Sequence, residues 1–188
     1  MKRYAVYLLL VALGIGPGIR LSASDAGQIE GTISAPKPTE AVVYVEKVPG
    51  TYEAQKVKVD QQNKVFMPYV LPVVQGTTVE FHNSDTLQHN VFGVGDDEFD
   101  LGNWTKGIVR EHTFNKPGEV TLLCNVHQEM EATVLVLQNP YFVQPDSDGK
   151  FRITDVPAGE YVIKAWYRGK TKKQTVQVPA SGSVAANF

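Results

Sequence analysis

No part of this chain sustains a helical repeat. Short runs rich in Val, Thr, Tyr and Phe recur between Gly, Pro and Asp punctuation, and that pattern confines the chain to an all-β fold. Alternation and turn chemistry predict strands over 28–33, 41–47, 54–59, 69–74, 77–82, 90–94, 108–114, 120–124 and 133–138. Further strands are predicted over 150–153, 159–167 and 173–178. In Val79-Glu80-Phe81-His82 the period of two sends Val79 and Phe81 to one face and His82 to the other, which favours solvent; a regular strand would turn His112 outward likewise. The length suffices for one large or two small β domains.

The first residues read differently. Lys2-Arg3, an apolar stretch from Tyr4 to Gly16, and the small residues of Ser22-Ala23-Ser24-Asp25-Ala26 predict a secretory signal peptide over 1–26. The apolar run is short for a membrane span and is broken by Gly14, Gly16, Pro17 and Gly18, so membrane attachment is expected only if the segment is retained. Export predicts a periplasmic location. No Cys follows the apolar run, which excludes a lipoprotein anchor. Without the segment the chain has 15 basic and 19 acidic residues, net −4, and nucleic acid is not an expected partner.

An exported chain normally uses cysteines in pairs, yet this one has a single Cys. That residue heads Cys124-Asn125-Val126-His127-Gln128-Glu129-Met130, with His89 upstream. Each residue alone has an ordinary structural reading: a buried Cys is a small hydrophobe, a His a satisfied polar group, a Met core filler. Together, two imidazoles, a thiolate and a thioether form a ligand list suited to copper that exchanges one electron with little change of geometry. Predicted strands flank the loop on both sides, and His89 must arrive from another strand.

Phe81-His82-Asn83-Ser84-Asp85, then His89-Asn90-Val91, then Cys124-x-x-His127-x-x-Met130 resemble the cupredoxin family of plastocyanin, pseudoazurin and amicyanin. The short interval from His127 to Met130 is similar to amicyanin. The resemblance implies one type 1 copper ion held by His89, Cys124, His127 and Met130. It also implies a bracing role for Asn83 and an electron port at His127. Asn125-Val126 departs from the Pro that many members place before the second His, which bears on loop rigidity and on the potential.

Asp146-Ser147-Asp148-Gly149-Lys150 and Val156-Pro157-Ala158-Gly159-Glu160, with the strands after them, resemble the carboxypeptidase regulatory-like, transthyretin-like β-sandwich, whose first strands read like Gly31-Thr32-Ile33 and Ala41 to Val45. The expected architecture is therefore a cupredoxin Greek-key β-sandwich over 52–139, inserted into a small sandwich built from 27–51 and 140–188. The alternative is two sequential domains, with 27–138 an extended cupredoxin. Asp146 and Asp148 lack the other oxygen ligands of a calcium loop and read as a turn. The acidic run Gly95 to Asp100 and the basic run Lys164 to Lys173 read as solvated surface.

The expected function is an exported blue copper protein that passes single electrons between redox partner proteins and makes no bonds itself. A periplasmic Cu(I) carrier or buffer, and a structural or carbohydrate-binding sandwich, are the alternatives. A multicopper oxidase is excluded, because His-x-His pairs are absent and four His cannot also furnish a trinuclear cluster.

Overall fold

The computed structural model of the protein describes residues 25–188. All but the last two residues of the expected signal segment lie outside them, and Ala26 already opens the first strand. In chain order the strands are β1 (Ala26–Thr32), β2 (Val42–Val45), β3 (Lys56–Gln62), β4 (Val65–Met67), β5 (Val70–Val74), β6 (Thr78–Asn83), β7 (His89–Gly95) and β8 (Phe99–Trp104). They continue with β9 (Val109–Thr113), β10 (Gly118–Leu123), β11 (Glu131–Leu137), β12 (Phe142–Val143), β13 (Lys150–Pro157), β14 (Gly159–Tyr167), β15 (Lys170–Val178) and β16 (Ser183–Ala185). The one helical element among the described residues is a 3₁₀ turn at Pro38–Glu40.

These strands form four sheets, and each pair of sheets encloses a core. The sheets β13-β1-β16 and β12-β2-β14-β15 bury Ile29, Val43, Val45, Phe151, Ile163 and Val178 between them. The sheets β4-β3-β6-β9 and β5-β11-β10-β7-β8 bury Val59, Phe81, Val91, Phe114, Leu122 and Val134. Strands β1 and β2 pair with β12, β13, β14 and β16, whereas β3 to β11 pair only among themselves. At the crossing between them Asn139 is buried, donates to the Val45 carbonyl at 2.9 Å and accepts the Tyr141 N–H at 3.0 Å.

Strand β11 explains how the two sandwiches stack. Ala132, Val134 and Val136 face one core, while Leu135 and Leu137 face Val42, Val70 and Trp166 on the other side. A strand buried on both faces has no room for polar alternation, which is why Val134 to Leu137 is an unbroken apolar run. Polar links rim this contact: the Trp166 indole N–H donates to Glu119 at 2.8 Å, and the Arg168 guanidinium lies over the Tyr69 ring while donating to Glu40 at 2.7 Å.

Some elements differ from the sequence expectation. Phe99–Trp104 is a strand, although it lies in and beyond the stretch read as an acidic loop; a left-handed Gly102 and a register shift opposite Asn90 break its alternation. Nor is that acidic run merely solvated. Asp96 accepts the Glu119 N–H at 2.8 Å, Asp97 meets His112 at 3.4 Å and Asp100 binds the Asn90 amide at 2.8 Å. The 146–150 segment is a turn, with Asp146 Oδ1 accepting the backbone N–H groups of Asp148 and Lys150.

Candidate metal centre

His89 opens β7, Cys124 directly follows β10, and β10 and β7 are antiparallel neighbours, with Leu123 opposite Phe92. The 124–130 loop turns back at that same end, so His127 returns toward His89. The two Nδ1 atoms stand 3.0 Å apart, and the ring centroids 4.8 Å apart. Each of these residues offers one ligand atom, and the three ligand atoms of His89, Cys124 and His127 lie within 4.8 Å of one another. Among the described residues this is the one grouping of His, Cys or carboxylate side chains so disposed.

The site is dry apart from one ring. His89 is 0 % exposed, Cys124 3 % and Met130 1 %, whereas His127 is partly exposed. Met130 lies in the same core cluster as Cys124, and its backbone N–H donates to the His127 carbonyl at 3.0 Å, which closes the loop as a tight turn.

Two neighbours orient the donors. The Asp85 carboxylate is 3.0 Å from His89 Nε2, and an ionised carboxylate only accepts, so the ring proton belongs on Nε2 and the Nδ1 lone pair is free to face the cluster. Asp85 also accepts the Lys64 N–H at 3.0 Å; that bond first, and the His89 ring second, hold its carboxyl below the usual carboxylate range. The β3–β4 turn makes this contact possible, because Asn63 and Lys64 both adopt left-handed backbone angles and swing the Lys64 N–H toward Asp85. On the sulfur side the Asn90 N–H points at Cys124 Sγ, 3.4 Å away, and the Asn90 side-chain carbonyl accepts the Asn125 N–H at 3.3 Å.

Asn83 braces the loop before His89, donating to the carbonyls of Leu87 and Trp104 at 2.9 and 3.0 Å. His82 and His112 stay outside the cluster: His82 is half-buried beside Glu80, and His112 stacks on Phe99 at 3.9 Å. Asp85 and Asn90 stand in the motifs quoted from the sequence, which gave neither of them a role. A hint to Asp85 was that it precedes His89 by four residues, in the loop that leads into β7.

A cysteine sulfur beside two imidazoles, one of them oriented by Asp85, with a buried thioether in the same core, fits copper by donor softness. No family model matches the sequence, and no curated protein matches it. Solved structures similar to the chain include the Cu-containing nitrite reductase of Thermus scotoductus SA-01, at 25 % identity and a TM-score of 0.43, covering 58 % of this chain and 28 % of that one. A purple cupredoxin of Nitrosopumilus maritimus is 23 % identical with a TM-score of 0.38, covering 45 % of this chain and 99 % of that one. A reduced-state amicyanin mutant is 26 % identical with a TM-score of 0.40, covering 43 % and 80 %. The chain thus spans less than a third of the nitrite reductase's length.

Proposed function

We propose that this chain is an exported type 1 copper protein that carries single electrons, with His89, Cys124, His127 and Met130 holding one copper ion. The observation that supports this most is the approach of two Nδ1 atoms to 3.0 Å beside a buried cysteine that has no disulfide partner. Bound there, copper would supply a one-electron couple.

The protein's own part is to hold the donors still. Asp85 fixes the His89 tautomer, the Asn90 N–H stabilises negative charge on Cys124 Sγ and so bears on the potential, and the Met130 to His127 bond keeps the loop short. The His89 ring, the Cys124 sulfur and the Met130 thioether are held by burial, which suits transfer with little reorganisation. His127 is the electron port in this reading. It is partly exposed, and so are Val126 in its own loop, at 44 %, and Leu87 in the loop just before His89, at 40 %. Residues 52–139 carry 6 basic and 12 acidic side chains, net −6, against 9 and 7, net +2, for 27–51 with 140–188. A net-acidic unit with a partly exposed port favours a cationic redox partner protein.

The same reading takes 52–139 as a copper unit inserted in a transthyretin-like sandwich, supported by the pairing of β1 and β2 with strands beyond residue 139. No helix among the described residues is long and apolar enough to cross a membrane. Voltammetry of the copper-loaded protein tests the function: a reversible one-electron couple is expected, whereas copper held only as Cu(I) would turn the reading to a carrier.

A further inference from the structure

The buried centre needs a way in for its metal, and one cleft reaches Met130. The cleft, about 480 Å³, lies between β4, the Glu129–Glu131 segment and the 3₁₀ turn of the other sandwich; Met67, Tyr69, Glu129, Met130 and Glu131 are among its walls. The chain has three methionines, Met1, Met67 and Met130, and the two among the described residues both line this cleft. They differ sharply in exposure: Met67 is 41 % exposed and Met130 1 %. Strand alternation produces this, because Phe66 points into the core and turns Met67 outward.

The charges favour a cation. Lys37, the one basic residue lining the cleft, pairs with Glu40 at 3.0 Å, and Arg168, outside the cleft, pairs with the same carboxylate at 2.7 Å. Among the described residues Glu129 and Glu131 form no ion pair, and Glu131 has only the Tyr69 hydroxyl at 3.4 Å. Unneutralised carboxylates draw a positive ion in, and thioethers select a soft one.

We propose that this cleft is the path by which Cu(I) reaches the centre, with the Met67 thioether as its first ligand and Met130 as the inner one. The inference rests on the copper reading above. No electron moves in the step; the ion leaves its carrier for Met67 and then passes to the buried donors by ligand exchange.

The test is uptake by the metal-free protein of Cu(I) offered on a weak coloured chelator, followed by stopped flow as the chelator's band decays. Met67→Leu keeps the apolar surface and removes the sulfur. It is expected to slow Cu(I) uptake about tenfold, with final copper content, absorption spectrum and potential unchanged, and with uptake of Cu(II), for which a thioether is a poor ligand, at the parent rate. Glu129→Gln should slow uptake less, and its effect should vanish in high salt. Parent-rate Cu(I) uptake by a fully loading Met67→Leu protein would overturn the path and direct the ion past His127, and equal slowing of both oxidation states would overturn the thioether's role. A parent protein that takes up no stoichiometric copper would instead defeat the copper reading itself.

Discussion

Replacing Asp85 by Asn changes almost no volume but removes the charge that orients His89. Asp85 Oδ2 accepts two hydrogen bonds, from His89 Nε2 and from the Lys64 N–H, both at 3.0 Å, and the side chain is only 15 % exposed. A hydrogen bond to a charged group contributes about 1.5–3 kcal/mol against about 0.5–1.5 for a neutral one. Losing the charge on two bonds therefore destabilises the metal-free fold by about 2 kcal/mol. The effect on copper is separate. An Asn amide can rotate to donate to Nε2, which sends the ring proton to Nδ1, the atom that faces Cys124 and His127. Loss of such an orienting partner typically weakens metal binding about 10–100-fold. Thermal melts of the metal-free proteins and competitive copper titration against a chelator read the two effects independently. Copper affinity within about twofold of the parent would refute the idea that Asp85 sets the His89 tautomer.

Leu135→Ala opens a cavity in the contact between the sandwiches and should cost about 2–4 kcal/mol in urea unfolding while leaving the copper spectrum alone; a cost below about 1 kcal/mol would mean that the contact is loose. Burial raises the Glu40 carboxyl, but its bonds to Arg168 and Lys37 outweigh that and hold it below its ordinary 4.5. A depressed acid contributes stability above its unfolded value and loses it as pH falls through the folded one. Glu40→Gln should therefore lower stability at pH 7 and flatten its decline below about pH 4.5, as followed by melting against pH. An acid limb as steep as the parent's would count against this pairing.

The all-β character and most strand positions were legible because burial on one face leaves a period of two. Val79 and Phe81 are buried and His82 lies on the other face, as alternation requires. Strand β8 was not legible, since its one charge, Asp100, binds Asn90 of the neighbouring strand and Gly102 interrupts the period. The apolar run of β11 announced a strand but not its second buried face, which Val42 and Trp166 supply from far away in sequence. The site divides in the same way. Three donors within seven residues are visible as spacing, and the structure brings His89, Cys124 and His127 together. The partners that aim them, Asp85 and the Asn90 N–H, depend on a hairpin turn and on cross-strand register, which residue types alone do not encode.

The most direct measurement is the optical and electron paramagnetic resonance spectrum of the copper-loaded protein beside that of Cys124→Ser. An intense visible thiolate-to-copper band with one copper per chain, lost in the Ser variant, is the predicted result. A colourless parent, or a Ser variant that stays blue, would contradict the assignment of Cys124 to a type 1 copper site.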